Sequence, residues 1–248
     1  MSGLEFTFSE FINEIDAIKR VASAFIDESS EHVFYGLRES LENIKDGESG
    51  NRYFWGIHES NPLRTRTSRG MYRVGGGARE HIFAEITSIW EIEPLKSEGK
   101  KKPRRFRLGG LASTRIRLRR DNANRVFQQV AMWRQELGDD NSPGCHFHVQ
   151  VLGQTKKRPF PKSIEIPRFP ALLFTPMAAL DFVLGELFQD AWKKEVSRDS
   201  ADIQIWRSIQ AKRLKSLFDW HARTIDGTTG SPWIAIKGSK PEGDLFLT

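Results

Sequence analysis

The chain has 248 residues, of which 38% are hydrophobic and 28% charged, and its formal net charge is +6. These values are typical of a globular protein with a sizeable core, and we expect a single α+β domain over residues 1–248. No apolar run approaches the ~20 residues of a membrane span, and the first residues lack the basic and apolar regions of a signal peptide. A single cysteine, Cys145, also disfavours a disulfide-stabilised secreted protein, so we expect a cytoplasmic location and no membrane partner.

The first fifty residues have helical spacing. Apolar residues recur every three or four positions after Ser9 and again after Ser30, which is the period of a helix with one buried face. We therefore predict that residues 1–50 form a helical pair, with Ser9 and Ser30 as the N-terminal caps.

From residue 51 the pattern changes to short alternating runs separated by turn residues, which favours a largely antiparallel sheet over residues 51–153. The predicted strands are Arg52 to His58, Arg69 to Val74, Ile82 to Glu93, Phe106 to Leu108 and Leu111 to Arg119. Residues 125–137 then have apolar side chains at helical spacing, which predicts one crossing helix. Those side chains are Val126, Val130, Trp133 and Leu137.

The C-terminal third begins with a proline-rich segment, residues 154–175. Proline cannot donate a backbone hydrogen bond, so we expect this segment to be extended on the surface and not in a central strand. Two long helices are predicted over residues 176–225, with Thr175 as the cap of the first and Pro176 at its first position. Residues 226–248 carry few signals and are expected to form a loose tail. The predicted class is α+β, a largely antiparallel β-sheet flanked by an N-terminal helical pair and two long C-terminal helices.

Positive charge is concentrated in residues 96–120, which contain eleven Lys or Arg and one acid, a net charge of +10. Arg115, Arg117 and Arg119 alternate with apolar residues and so share one face of a strand. Arginines about 7 Å apart suit a row of backbone phosphates in nucleic acid. The candidate nucleic-acid-binding residues are Arg104, Arg105, Arg107, Arg115, Arg117, Arg119, Lys156, Lys157 and Arg158. The alternative is a solvated face whose charge is balanced by acidic helices of the same protein.

Residues 145–152, Cys-His-Phe-His-Val-Gln-Val-Leu, alternate strictly between apolar and polar side chains. As a β-strand this run places its polar side chains on one face, expected to be exposed, and its apolar side chains on a core face. The polar set is His146, His148 and Gln150. The apolar set is Cys145, Phe147, Val149 and Val151. Cys145 therefore points away from His146, which disfavours a Cys-His nucleophilic pair.

The polar set resembles the H-x-H-x-Q motif of the histidine-triad superfamily, in the branch of galactose-1-phosphate uridylyltransferase and dinucleoside polyphosphate phosphorylases. The resemblance implies that His148 is a nucleophile and that Gln150 binds a phosphate. It covers eight of the 248 residues, and the region upstream lacks the long glycine- and asparagine-bearing segment expected of that fold. More generally, an imidazole beside arginines can attack or protonate at phosphorus, so His146, His148 and Gln150 are the candidate catalytic residues.

Other patterns are less specific. His-x-His on a strand can give two ligands to a metal, but the spacing selects no third ligand, so neither a metal nor a cofactor is assigned. A third ligand could come from His58, Glu59, His81 or His221. The glycines at 75–77 lack the Lys-Ser/Thr of a P-loop and are typical of a hairpin turn. Trp55 and Trp233 lie outside core spacing on helices and are candidates for stacking on bases.

The sequence therefore predicts a basic protein that binds a phosphate-rich ligand, with nucleic acid or a nucleotide as the leading candidate. Two alternatives stay open. One is a phosphodiester- or nucleotide-processing enzyme, a hydrolase or transferase, that uses His146 and His148. The other is a protein-interaction subunit of a larger intracellular complex, in which the basic segment meets an acidic partner.

Overall fold

The computed structural model describes residues 3–68, 81–97, 99, 102–120, 127–138, 145–151, 169–172 and 175–247. The strands in these residues are β1 (Glu5–Thr7), β2 (Tyr53–Trp55), β3 (Leu63–Arg64), β4 (Ile82–Pro94), β5 (Arg105–Arg120), β6 (Gln128–Leu137), β7 (Phe147–Val151) and β8 (Phe169–Pro170). The α-helices are α1 (Phe8–Val21), α2 (Glu31–Asp46), α3 (Pro176–Val196), α4 (Ala201–Asp226) and α5 (Pro232–Gly238). The predicted α+β class is confirmed.

The strands form one antiparallel sheet in the order β2-β4-β5-β6-β7-β8, with β1 paired to β5 and β3 paired to β4. Helices α1, α3 and α4 pack on one face of this sheet. The ring of Phe11 on α1 lies 5.8 Å from Trp90 and 5.1 Å from Phe106, and Phe147 on β7 meets Trp220 on α4 at 5.7 Å. The core is therefore the layer between the sheet and these helices.

Successive residues of a strand point to opposite faces of the sheet. The residues that precede and follow each core residue in a strand therefore lie on the face of the sheet away from the helices. We call this side the outer face. It is defined by Arg64, Glu85, Arg115, Arg117, Arg119, Met132, Arg134, Glu136, His148 and Gln150, which the strand register places beside one another.

Three helix starts were predicted with different success. Thr175 caps α3 as predicted, accepting a hydrogen bond from the Ala178 N–H at 3.1 Å. The cap of α1 is Thr7 and not Ser9, because the Thr7 hydroxyl accepts from the Glu10 N–H. Ser30 precedes α2 as predicted, but its hydroxyl donates to the Pro62 carbonyl at 3.4 Å and so makes no helix cap.

The predicted crossing helix over residues 125–137 is wrong, because residues 128–137 form β6 between β5 and β7. Trp133 and Leu137 are four residues apart, a spacing that places them on one face of a strand as well as on one face of a helix. The edges of β5 and β7 each need a partner for their backbone groups, and β6 supplies both.

The predicted strands Phe106 to Leu108 and Leu111 to Arg119 are one strand, because β5 runs without a break through Gly109 and Gly110. A Cβ at Gly109 would lie 2.5 Å from Oε1 of Glu91. Gly110 has a φ of 139°. The two glycines therefore mark a close approach and an unusual backbone conformation inside a strand, and not a turn.

Residues 226–248 were predicted to be a loose tail, and this is wrong for the described residues. They form α5 and then return to the core, where the ring of Phe246 stacks on Phe6 at 5.2 Å. The Glu5 N–H also donates to the Gly243 carbonyl at 2.6 Å. Phe246 lies in the three-residue apolar run 245–247, which is too short to show a periodic pattern that would indicate its burial.

The proline-rich segment is described only at its end. There Phe169–Pro170 forms β8, a two-residue strand at the edge of the sheet beside β7, as a proline-containing strand should. The predicted strand Arg69 to Val74, the glycines at 75–77 and residues 154–168 lie outside the described residues. Among the helices that the structure describes, none is both long and apolar enough to cross a membrane.

Candidate functional site

The outer face carries a row of arginines on three strands. Arg115, Arg117 and Arg119 share one face of β5 as predicted, with Arg64 on β3 and Arg134 on β6 beside them. A 16-residue strand paired on both sides holds these side chains in fixed register. The predicted arginine row is therefore wider than one strand.

Among the described residues, three carboxylates contact these arginines, and each carboxylate is shared between two groups. Glu59, in the loop between β2 and β3, contacts both Arg115 and Arg117. Glu85 on β4 contacts Arg64 at 3.0 Å and Arg119 at 2.8 Å. These two partners come from a loop and a strand, whereas the alternative interpretation of the arginine face placed its balancing charges on acidic helices.

The third carboxylate, Glu136 on β6, contacts Arg134 at 2.9 Å and lies 3.6 Å from Nε2 of His148. Burial alone would raise the pKa of Glu136, but the contact with His148 and the charge of Arg134 outweigh it and hold the pKa below the ordinary 4.5. Glu136 is therefore an anion that fixes Arg134. The defined outer face, with Glu59, has five arginines and three carboxylates, so positive charge is in excess.

Arg115 and Arg134 lie directly opposite each other in the β5–β6 register. Side chains at opposed positions have Cβ atoms about 4.5–5.5 Å apart, and like charges there repel. Both side chains are 29% exposed, and a guanidinium has five N–H donors, more than its carboxylate contact uses. An anion between the two would relieve their repulsion.

The polar residues of β7 lie on this same face, but they are buried. His148 is 3% exposed and Gln150 is 7% exposed, so the prediction of an exposed polar face is wrong for both. Nδ1 of His148 donates to the Cys145 carbonyl at 3.0 Å, and Oε1 of Gln150 accepts from Nη2 of Arg134 at 2.8 Å. Their hydrogen-bonding groups are satisfied by neighbours, which is how polar groups are tolerated in a buried position.

The apolar set of β7 behaves only partly as predicted. Phe147 and Cys145 are buried, but Val149 is half-buried and Val151 is exposed, because β7 lies near the sheet edge. Burial raises the pKa of the Cys145 thiol, which keeps it protonated and a poor nucleophile. His146 precedes β7 and is half-buried, with its ring 5.0 Å from Phe147.

A pocket of about 350 Å³ adjoins the arginine row. Phe54, Glu59, Ile89, Ser113 and Arg115 are among the residues that line it. Gly56 forms part of its wall with a φ of 152°, and a Cβ there would lie 2.2 Å from the Ser88 carbonyl oxygen. This close approach needs glycine and fixes the loop that carries Glu59.

The other predicted residues lie elsewhere. Arg105 and Arg107 are tied to Glu5 near the opposite end of β5, and Arg104 donates to the Gly47 carbonyl at 2.6 Å. Lys156, Lys157 and Arg158 lie outside the described residues. Trp55 is buried with its indole N–H bonded to the Leu37 carbonyl, so it cannot stack on a base, whereas Trp233 on α5 is exposed.

Several residues of the site were missed from the sequence. Arg134 and Glu136 were assigned to a helix, and residues 132–137, Met-Trp-Arg-Gln-Glu-Leu, do not alternate between apolar and polar side chains in a way that would have indicated a strand. Glu59 and Glu85 are distant in sequence from their partners. The strand register brings Glu85 to its arginines, and the β2–β3 loop brings Glu59 to Arg115 and Arg117. In the described part of the chain, no group of three or more His, Cys, Asp or Glu side chains is placed to hold a metal ion.

No protein-family model, no curated protein and no solved structure matches this chain.

Proposed function

We propose that the outer face binds the phosphate groups of nucleic acid. The observation that carries the proposal is the opposed pair Arg115 and Arg134, two arginines at facing positions of neighbouring strands whose side chains are each 29% exposed. Guanidinium groups bind phosphate through paired, charge-assisted hydrogen bonds. A phosphate between these two would convert their repulsion into two favourable contacts.

The rest of the row supports an extended ligand and not a single ion. Arg117 and Arg119 follow Arg115 at alternate positions of β5, which separates successive side chains by about 7 Å, close to the spacing of backbone phosphates. Because each carboxylate is shared between two cationic or ionisable groups, the face keeps an excess of positive charge. Such a surface favours polyanions over neutral ligands.

In this proposal Gln150 and His148 are positioning residues. Gln150 holds Arg134 through its amide oxygen, and His148 lies against Glu136, which holds the same arginine from the other side. The catalytic alternative has less support, because a nucleophile must reach its substrate. His148 is buried, and its Nδ1 is hydrogen-bonded to the Cys145 carbonyl.

The test is a binding titration with a short fluorescent oligonucleotide at low salt. The double variant Arg115→Gln, Arg134→Gln should bind at least about 10-fold more weakly than the wild type, since two charge-assisted phosphate contacts are lost. The matched control is Arg198→Gln, Arg207→Gln, which removes the same charge from an exposed region at the end of α3 and the start of α4. Thermal unfolding of both variants checks that each remains folded.

Equal weakening by the control would reduce the result to a general charge effect and contradict the proposed interface. Wild-type affinity in the outer-face variant would remove this face from any binding surface. Failure of the wild-type protein to bind any oligonucleotide would contradict nucleic acid as the ligand.

A further inference from the structure

The pocket beside the arginine row has an exposed aromatic wall. Phe54 on β2 is 67% exposed, and it lies on the side of β2 opposite Trp55, whose side chain is in the core. Ile89 on β4 is also exposed and lines the same pocket, as does Arg115. An apolar surface, an aromatic ring and a guanidinium thus meet in one concavity.

The composition of this pocket matches the parts of a nucleotide. The apolar wall of Phe54 and Ile89 offers a flat surface for a base, and Arg115 at the margin offers a contact for a phosphate. The pocket volume of about 350 Å³ lies within the usual range of small-ligand sites, roughly 300–1,000 Å³. Polar groups of Glu59 and Ser113 also line it and can accept or donate hydrogen bonds at the edge of a base.

The walls of the pocket are fixed before a ligand arrives. The Ile57 N–H donates to the Ser88 hydroxyl at 3.0 Å, and the Ser88 N–H donates to the Ile57 carbonyl at 2.9 Å. Gly56 approaches the same strand too closely for any side chain. These contacts tie the β2–β3 loop to β4, so little ordering entropy is lost when a base enters.

We propose that this pocket takes an unpaired base of a single-stranded nucleic acid, stacked on Phe54, while the adjoining phosphate binds Arg115. The inference rests on the proposed function and adds the class of nucleic acid. In a duplex the faces of the bases are covered by their neighbours, whereas single strands present them to aromatic side chains. The combination of a stacking ring with a row of cations is the general means by which proteins hold single strands.

The test compares three probes of equal length: a single-stranded oligonucleotide, the same sequence as a duplex, and a single-stranded abasic oligonucleotide that keeps the phosphates. The wild type should bind the single strand more tightly than either of the other two. Phe54→Ala should weaken binding of the single strand by at least about fivefold, the effect expected for one stacked base, and leave binding of the abasic strand unchanged. Phe218→Ala is the control, because Phe218 is an exposed aromatic residue on α4.

The outcomes separate the two proposals. If Phe54→Ala binds the single strand as the wild type does, or if the duplex binds more tightly than the single strand, the base pocket is refuted while the arginine interface stands. If the wild type binds none of the three probes, the proposed function itself fails and the pocket inference fails with it.

Discussion

Arg134 and Gln150 face each other across the β6–β7 pair, and Nη2 of Arg134 donates to Oε1 of Gln150 at 2.8 Å. The contact belongs to a closed ring of side chains. Gln150 lies 3.5 Å from Nε2 of His148, His148 lies 3.6 Å from Glu136, and Glu136 contacts Nε of Arg134 at 2.9 Å. Strand β7 is thereby connected to the arginine row. Gln150 holds Arg134 directly, and His148 contacts Glu136, which holds the same arginine.

The first prediction is that His148 contributes to stability. His148→Ala removes a buried donor to the Cys145 carbonyl and a partner of Glu136, so it should lower the free energy of unfolding by about 1–3 kcal/mol. His146→Ala, at a half-buried position before the strand, should cost less. Urea denaturation of both variants measures this difference. Equal stability of His148→Ala and the wild type would show that the ring is not structural.

The second prediction concerns acid stability. The pKa of Glu136 in the folded protein is lowered from 4.5 because the contacts with His148 and Arg134 outweigh burial. The folded protein therefore binds this proton less readily than the unfolded chain, and the ionised carboxylate stabilises the fold above pH 4.5. This contribution is lost as the pH falls below that value and through the folded pKa.

Glu136→Gln should accordingly be less stable than the wild type at neutral pH, and the two stability curves should converge as the pH falls below 4.5. Urea denaturation at a series of pH values measures both curves. Curves that remain parallel through the acid range would contradict an ion-paired Glu136.

The third prediction tests the pocket wall. Gly56→Ala forces a side chain into a positive-φ position and against the Ser88 carbonyl oxygen. Backbone strain alone costs about 1–3 kcal/mol, and the clash adds to it, so the variant should be destabilised by more than the strain alone. Gly36→Ala is the matched control, since Gly36 lies in α2 with nothing within 4 Å of the added Cβ. It should be neutral or stabilising by up to about 1 kcal/mol. Similar stability of the two variants would contradict the described loop conformation.

The fourth prediction is a gain of binding. Glu59 is exposed and contacts both Arg115 and Arg117, so Glu59→Gln should release two guanidiniums and raise oligonucleotide affinity by about threefold or more at low salt. Glu195→Gln, a carboxylate near the end of α3 paired with Arg198, removes the same charge elsewhere and should change affinity little. Weaker binding by Glu59→Gln would mean that Glu59 is needed to orient the arginines.

Strict alternation was sufficient to predict the face shared by Arg115, Arg117 and Arg119, because a two-residue period depends only on the strand itself. Burial of His148 was not predictable in the same way. It depends on Arg134 and Glu136, which lie on β6, and the four-residue spacing of Trp133 and Leu137 on β6 fits one face of a helix as well as one face of a strand. Because a helix was predicted in place of β6, the contacts that bury His148 on β7 were not predicted either.

Long-range pairing accounts for the rest of what the sequence did not reveal. Glu59 and Arg115 are 56 residues apart, and no local pattern relates them. The exposed Phe54 and the buried Trp55 are adjacent in sequence, and the side of β2 that faces the core is decided by its register with β4. The helices, in contrast, follow from local periodicity and capping, and most of them were predicted.

The most direct test of the central claim is the salt dependence of oligonucleotide binding by the wild type and by the triple variant Arg115→Gln, Arg117→Gln, Arg119→Gln. If the β5 arginines contact phosphates, the triple variant should bind more weakly across sequences, and its slope of log affinity against log salt should be shallower. The expected decrease is about 0.7 per lost contact for a single strand and about 0.9 for a duplex. An unchanged slope in a folded triple variant would contradict the account, because it would mean that the arginine row of the outer face meets no phosphate.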